Sequence, residues 1–254
     1  MILQVKNLSK QFGGLKAVND LSFSVEKNNI TGLIGPNGAG KTTSFNCLTG
    51  TFPATSGTIT FDDVDITRYK PHQIASLGMV RTFQQNKLFP ELTVFENVLL
   101  GAERRMLAKP WEEILGLKKA RLERKQIVEK VLDILEFTDL TTVKEYLGKN
   151  LAHGNQRRLA IAIALASDPK LLLLDEPATG MNPEETNDLM NLIKEISNRG
   201  IGILLIEHDM KLVMNICQYI TVLSFGEKIA EGTPQEIASN QAVIEAYLGR
   251  GSKF

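Results

Sequence analysis

Cysteine is nearly missing from this 254-residue chain. Cys47 and Cys217 lie far apart and have no metal-ligand spacing, which argues against a disulfide framework or a cysteine-based zinc site. They read as reduced thiols of a cytosolic protein. Net charge is missing as well, since 29 basic residues balance 29 acidic ones. Without bulk positive charge to hold nucleic acid, no nucleic-acid partner is expected. Long apolar runs are absent. The strongest, "LLLL" at 171–174 and "IGILLI" at 201–206, fall well short of the roughly 20 residues that cross a bilayer. The start, "MILQVKNLSKQF", has no apolar stretch of the signal-peptide kind. The chain is expected to be soluble by itself, with docking onto a membrane protein left open. Internal repeats and low-complexity segments are not evident either.

What is present is an ordinary globular composition, 43% hydrophobic and 23% charged. The length fits one large α/β domain, or one with a smaller lobe. "ILQVKNL", "LSFSVE" and "GTITFDDVDI" alternate apolar and polar residues, which predicts strands. From about Leu99 to Gly148 the pattern turns helical. In "QIVEKVLDILEF" the spacing places Ile127, Val128, Val131, Leu132 and Leu135 on one face. Upstream, "GAERRMLAKPWEEILGLKKARLERK" is basic and carries the lone Trp111. It reads as a solvated helical face or as a docking surface. Two apolar strands, "KLLLLDEP" and "IGILLIEHD", flank the helix "PEETNDLMNLIKEISNRG". Strands alternating with helices predict a mainly parallel sheet covered on both faces. Near the end, Thr233, Pro234 and Glu236 spell a helix start with a capping box.

The chemistry is concentrated in "GPNGAGKTT", Gly35 to Thr43. It fits G-x-x-x-x-G-K-[ST] between a predicted strand and a predicted helix, which is the context a phosphate-binding loop needs. Gly35, Asn37, Gly38, Ala39 and Gly40 form a loop whose backbone N–H groups can face phosphate oxygens. The helix N-terminus adds a favourable partial charge. Lys41 reaches the β- and γ-phosphates, and the Thr42 hydroxyl, with Thr43 beside it, suits Mg²⁺ and phosphate. Asp175 ends an apolar strand, where a carboxylate helps to hold Mg²⁺. Glu176 follows directly and is placed to polarise an attacking water. Together the two segments imply hydrolysis of a nucleoside triphosphate, without saying what it drives.

With these residues placed, the chain resembles an ATP-binding subunit of an ABC transporter over essentially its full length. "TFQQ" resembles the Q-loop, with Gln84 the better match and Gln85 the other. "IEHD" resembles the switch region and makes His208 the γ-phosphate contact. "ATGMNPEE" resembles the D-loop, and Phe12 lies where the family stacks an aromatic ring on adenine. "LAHGNQRR", residues 151–158, sits where the family carries its LSGGQ signature, which contacts ATP held by the other subunit of a head-to-tail pair. Leu151, Gly154, Gln156 and Arg157 match, whereas Ala152, His153 and Asn155 depart from it. Ala152 lacks the serine hydroxyl, whose hydrogen bond to a charged group is worth about 1.5–3 kcal/mol. His153 either substitutes as a donor or faces solvent. Asn182 stands where an aspartate is common in the D-loop.

Those departures, with "FGGLKAVND", "MVRTFQ" and the ending "VIEAYLG", resemble the ATPase subunits of branched-chain amino acid importers. The resemblance implies an α/β P-loop NTPase (RecA-like) core with a mainly parallel sheet, an N-terminal antiparallel β region and a helical subdomain. Residues 1–85 and 165–254 would form the ATP-binding lobe and about 86–164 the helical one. It implies ATP and Mg²⁺ as ligands, with Thr42, Gln84 and Asp175 at the metal. Glu176, His208 and Gln84 would act in catalysis. Phe12, the phosphate loop and Ala152 to Asn155 would contact nucleotide. Implied partners are integral-membrane permease subunits, a second cassette, identical or different, and indirectly a periplasmic or extracellular binding protein. The implied place is the cytoplasmic face of a prokaryotic cell membrane. Alternatives are a cassette for urea, amides or other amino acids, a non-transport ABC ATPase, and a small-molecule P-loop kinase.

Overall fold

The computed structural model describes residues 1–82, 88–103 and 118–248, with the side chains of 118–120 and 248 left aside. Gln84, Gln85, Trp111 and most of the basic stretch around it lie outside the described residues. The chain divides into two compact units. One comprises Met1–Arg81, Lys170–Thr179 and the chain from Thr186 onward. The other comprises Thr82–Pro169 and Gly180–Glu185.

The first unit opens on a hairpin of β1 (Leu3–Phe12) and β2 (Leu15–Val25). Leu3 and Val5 of β1 point inward at the two-residue period of a half-buried strand, and a register shift at the left-handed Asn7 (φ 51°) turns Leu8 inward as well. The strand β3 (Ile30–Ile34) is buried throughout and runs into the phosphate loop and α1 (Lys41–Leu48). A second hairpin follows, β4 (Ser56–Phe61) and β5 (Val64–Asp65). Its turn, Asp62 and Asp63, has φ of 46° and 65°, both left-handed as a two-residue hairpin turn requires. After α2 (Pro71–Leu77) comes the short β6 (Met79–Arg81). Strands β1, β2, β4 and β5 form an antiparallel sheet in the order β2-β1-β4-β5.

The second unit contains α3 (Val94–Glu103), α4 (Lys118–Phe137) and α5 (His153–Ala166). Val94, Val98, Val131, Leu135, Leu159 and Ala162 make its core. Leu132, expected on the buried face of α4, is exposed instead. At about 100° per residue, Ile127, Val131, Ile134 and Leu135 share an arc that Leu132 falls outside. Thr93 and Glu96 cap α3 reciprocally: the Glu96 carboxylate accepts from Thr93 N–H at 2.7 Å, and the Thr93 hydroxyl accepts from Glu96 N–H at 3.1 Å.

The chain returns to the first unit through β7 (Leu171–Asp175), α6 (Pro183–Asn198), which starts in the second unit, and β8 (Gly202–Ile206). It ends with α7 (Met210–Ile216), β9 (Tyr219–Ser224), β10 (Glu227–Gly232), α8 (Pro234–Ala238) and α9 (Gln241–Leu248). The six-stranded sheet runs β10-β9-β3-β8-β7-β6 and is parallel except for the β9–β10 pair. Its central strands β3, β7 and β8 are buried on both faces, which explains their unbroken apolar spelling. Phe45 and Leu48 of α1, with Phe61, Leu173 and Leu204, join the two sheets into one core. Thr233 and Glu236 form the expected capping box. Both cysteines are buried and free. Burial pushes their thiols up, Cys47 to about 11 and Cys217 to about 12. They therefore stay protonated and unreactive near neutral pH. Among the described residues no helix is long and apolar enough to cross a membrane.

Candidate active site

The phosphate loop is a product of its strand and its glycines. At Gly35, φ is 151°, and a Cβ there would sit 2.1 Å from the Leu223 carbonyl oxygen of β9. Only glycine lets the loop leave β3 at that point. Gly40, with φ of 102°, is the N-cap of α1, and no side chain caps the helix. The first-turn N–H groups of α1 thus open toward a cavity of about 310 Å³. Lys16, Asn37, Lys41, Thr42, Glu176 and Phe225 are among its lining. Lys41 is 6% exposed and donates to the carbonyls of Gly35 at 2.6 Å and Pro36 at 3.1 Å. Burial pulls its ammonium below the usual pKa, while Glu176 and Asp175 pull it back.

Asp175 ends β7 and is 2% exposed. Its carboxylate accepts from Arg81 Nη2 at 2.6 Å. Arg81 also donates from Nη1 to Asn46 Oδ1 on α1 at 2.7 Å and lies 5.6 Å from the Phe45 ring centroid. A buried cation therefore neutralises this carboxylate and links β6, β7 and α1. Glu176 has a left-handed backbone, φ 48°, at a cost of about 1–2 kcal/mol for a non-glycine residue. Its N–H donates to the Ile206 carbonyl at 2.9 Å, and that bond holds the residue at the mouth of the cavity.

His208 follows β8 and is largely exposed, with Nδ1 3.6 Å from Glu207 Oε2. Glu207 itself is fully buried. Burial pushes its carboxyl above the usual range, and the N–H groups of Ala178, His208 and Asp209 oppose that. Phe12 ends β1 and does not line the cavity. Its ring meets Phe52 edge-on, centroids 5.4 Å apart, with Lys10 Nζ 4.8 Å from its centroid. The aromatic residue on the cavity rim is Phe225, 75% exposed at the β9–β10 turn. That turn is pinned to the loop by the Gly226 N–H on the Ala39 carbonyl, 3.0 Å.

In the second unit, "LAHGNQRR" runs into α5, which begins at His153. Ala152 is the N-cap of α5 and offers no side-chain cap. The N–H groups of His153, Gly154 and Asn155 occupy the first turn and lack intrahelical acceptors. His153 is exposed, and its Cε1 lies 3.2 Å from where a Cβ on Gly180 would be. A Cβ on Gly154 would sit 2.7 Å from Glu185 Oε1. Glu185 is fixed by Asn182. The Asn182 N–H donates to Glu185 Oε2 at 3.0 Å, and the Glu185 N–H donates to Asn182 Oδ1 at 2.9 Å. This reciprocal cap at the start of α6 gives Asn182 a structural task.

The ABC transporter family profile matches residues 18–179, and a profile described as the branched-chain amino acid ATP-binding cassette transporter matches 227–253. The chain belongs to the ABC-transporter ATP-binding family. A high-affinity branched-chain amino acid transport ATP-binding protein of Pseudomonas aeruginosa, BraF, is 44% identical over 98% of this chain and 98% of its own length. LivG of Salmonella typhimurium, with the same description, is 45% identical over 98% of each. The ADP conformation of an ABC-transporter ATP-binding cassette superposes with a TM-score of 0.84 and 34% identity, covering 98% of this chain and 99% of that one.

As an ABC cassette the chain is an ATPase, and the described residues fit its nucleotide. The uncapped N-terminus of α1 and the desolvated Lys41 are suited to phosphate. Among the described residues no cluster of three or more His, Cys, Asp or Glu surrounds Asp175. A hard cation there would take the rest of its oxygen shell from phosphate, the Thr42 hydroxyl and water. Three residues escaped the sequence reading: Arg81, Glu207 and Phe225. A lone arginine in an apolar strand is a signal for the first, and a carboxylate directly before His208 for the second. Phe225 gives none, because only the folded turn brings it to the loop.

Proposed function

We propose that this cassette hydrolyses Mg-ATP to drive uptake of branched-chain amino acids through membrane permease subunits that it docks against from the cytoplasmic side. The observation that carries the solute class is the near full-length identity of 44–45% to BraF and LivG, whose names state that cargo. The match of 227–253 to the branched-chain profile supports it. A binding protein outside the membrane would deliver the solute.

Two cassettes pair head to tail over two ATP molecules. One chain carries both halves of such a site, the phosphate loop and the Gly154 segment, so two copies suffice for a twofold pair. Lys41 and the first turn of α1 bind the β- and γ-phosphates. Mg²⁺, held by Thr42, Asp175 and Gln84, would offset negative charge on the phosphate oxygens. Phe225 on the rim takes the base, and Phe12 would join it only by turning its ring away from Phe52. Glu176 accepts the proton of the attacking water, and His208 orients the γ-phosphate. The first-turn N–H groups at His153 to Asn155, with the His153 ring, contact the partner's γ-phosphate in place of the absent serine hydroxyl. Closure is favoured because ATP gains contacts only in the closed pair.

Uptake of labelled leucine by cells deleted for this chain tests the solute. Complementation with the wild-type chain should restore leucine, isoleucine and valine uptake, and Glu176→Gln should not. Unchanged leucine uptake in the deletion strain, with loss of urea, amide or other amino acid uptake, would overturn the cargo assignment and leave the ATPase reading standing.

A further inference from the structure

The parallel pair β7–β8 ends on one bond, Glu176 N–H to the Ile206 carbonyl at 2.9 Å. Beyond it the chain leaves both strands as loops, one carrying Glu176 and the other His208. Backbone ladder bonds no longer set their spacing there. The side chain of Glu207 takes over. It is 0% exposed, and a carboxylate out of water must find partners. Among the described residues no lysine or arginine pairs with it. Its Oε1 accepts from Ala178 N–H at 2.9 Å, two residues past Glu176. Its Oε2 accepts from His208 N–H at 3.0 Å and Asp209 N–H at 3.4 Å. One carboxylate thus grips the loop after β7 with one oxygen and the loop after β8 with the other.

We propose that Glu207 is a positioning residue for hydrolysis, clasping the Glu176 loop to the His208 loop so that base and γ-phosphate contact keep a fixed spacing. The inference rests on the reading of Glu176 as base and His208 as phosphate contact. It adds a residue that touches no substrate and acts through both.

Glu207→Gln separates this role from simple packing. The carboxamide keeps shape but has one acceptor oxygen. Turned to His208 and Asp209 it satisfies two donors, and its NH₂ then opposes the Ala178 N–H. The grip on the Glu176 loop is lost while the switch-loop bonds remain. The expected result is a kcat lowered by about a hundredfold, with KM and the Kd for Mg-ATP within about twofold of wild type. In a Glu176→Gln background the same change should slow turnover no further, because the base it positions is gone. Wild-type turnover in Glu207→Gln, with Glu176→Gln slow, overturns the clasp alone. Normal turnover in Glu176→Gln overturns the base reading and the clasp with it. A parallel loss of nucleotide affinity in Glu207→Gln would mark the residue as structural only. Should that variant fail to fold, amide exchange of the wild-type chain decides. The Ala178 amide should exchange as slowly as that of Glu176, and exchange at the rate of an open loop would overturn the proposal.

Discussion

Glu176→Gln should bind Mg-ATP about as tightly as the wild-type chain and hydrolyse it about 10²–10⁴-fold more slowly, the range a positioned general base supplies. The reason lies in what holds the residue. Its place is set by the backbone, through the N–H bond to the Ile206 carbonyl and the left-handed φ of 48°. Glutamine keeps that backbone and nearly the same shape. The change therefore removes a proton acceptor and one negative charge from the cavity wall. Loss of that charge beside Lys41 favours phosphate binding, so affinity should hold or rise. Single-turnover and steady-state hydrolysis, read beside calorimetric ATP titration, check both halves. Near-normal turnover would remove Glu176 as the base.

Lys41→Ala carries the next largest expected effect, on binding rather than on chemistry. The ammonium is buried beneath the loop and held by two loop carbonyls, and burial already disfavours its charge. A polyanion entering the cavity adds counter-charge to that of Glu176 and Asp175. Hydrogen bonds to charged groups are worth about 1.5–3 kcal/mol, so the Kd for ATP should rise by about one to two orders of magnitude. The melting temperature should stay close to wild type, because the substitution also relieves a desolvated charge. An unchanged Kd would mean that the loop binds phosphate through its backbone alone.

The parts of this site that were legible in the sequence are local ones. Gly35 to Thr43 needs a strand, a turn of glycines and a helix in immediate succession, and all three are spelled contiguously. Asp175 and Glu176 end an apolar strand, which places them at one edge of a sheet before any fold is known. The capping box at Thr233 and Glu236 closes within four residues. What stayed hidden depends on distant segments meeting. Arg81 reaches Asp175 across 94 positions, and Glu207 reaches Ala178 across 29. Nothing in the spelling near either residue records its partner. Phe225 comes to the phosphate loop only because β9 lies beside β3. Asn182, which stands where an aspartate is common, is a helix cap, a role visible only once the helix start is placed. Leu132 fits the spacing of the apolar face only at its edge, and the packing of α4 leaves that edge exposed.

Closure of two cassettes over ATP is the claim on which the mechanism turns, and slowed hydrolysis makes it measurable. The light-scattering mass of Glu176→Gln, recorded without nucleotide and with saturating Mg-ATP, tests it most directly. The account predicts the mass of one chain without nucleotide and twice that mass with Mg-ATP. A mass that remains that of one chain while Mg-ATP is bound would contradict it.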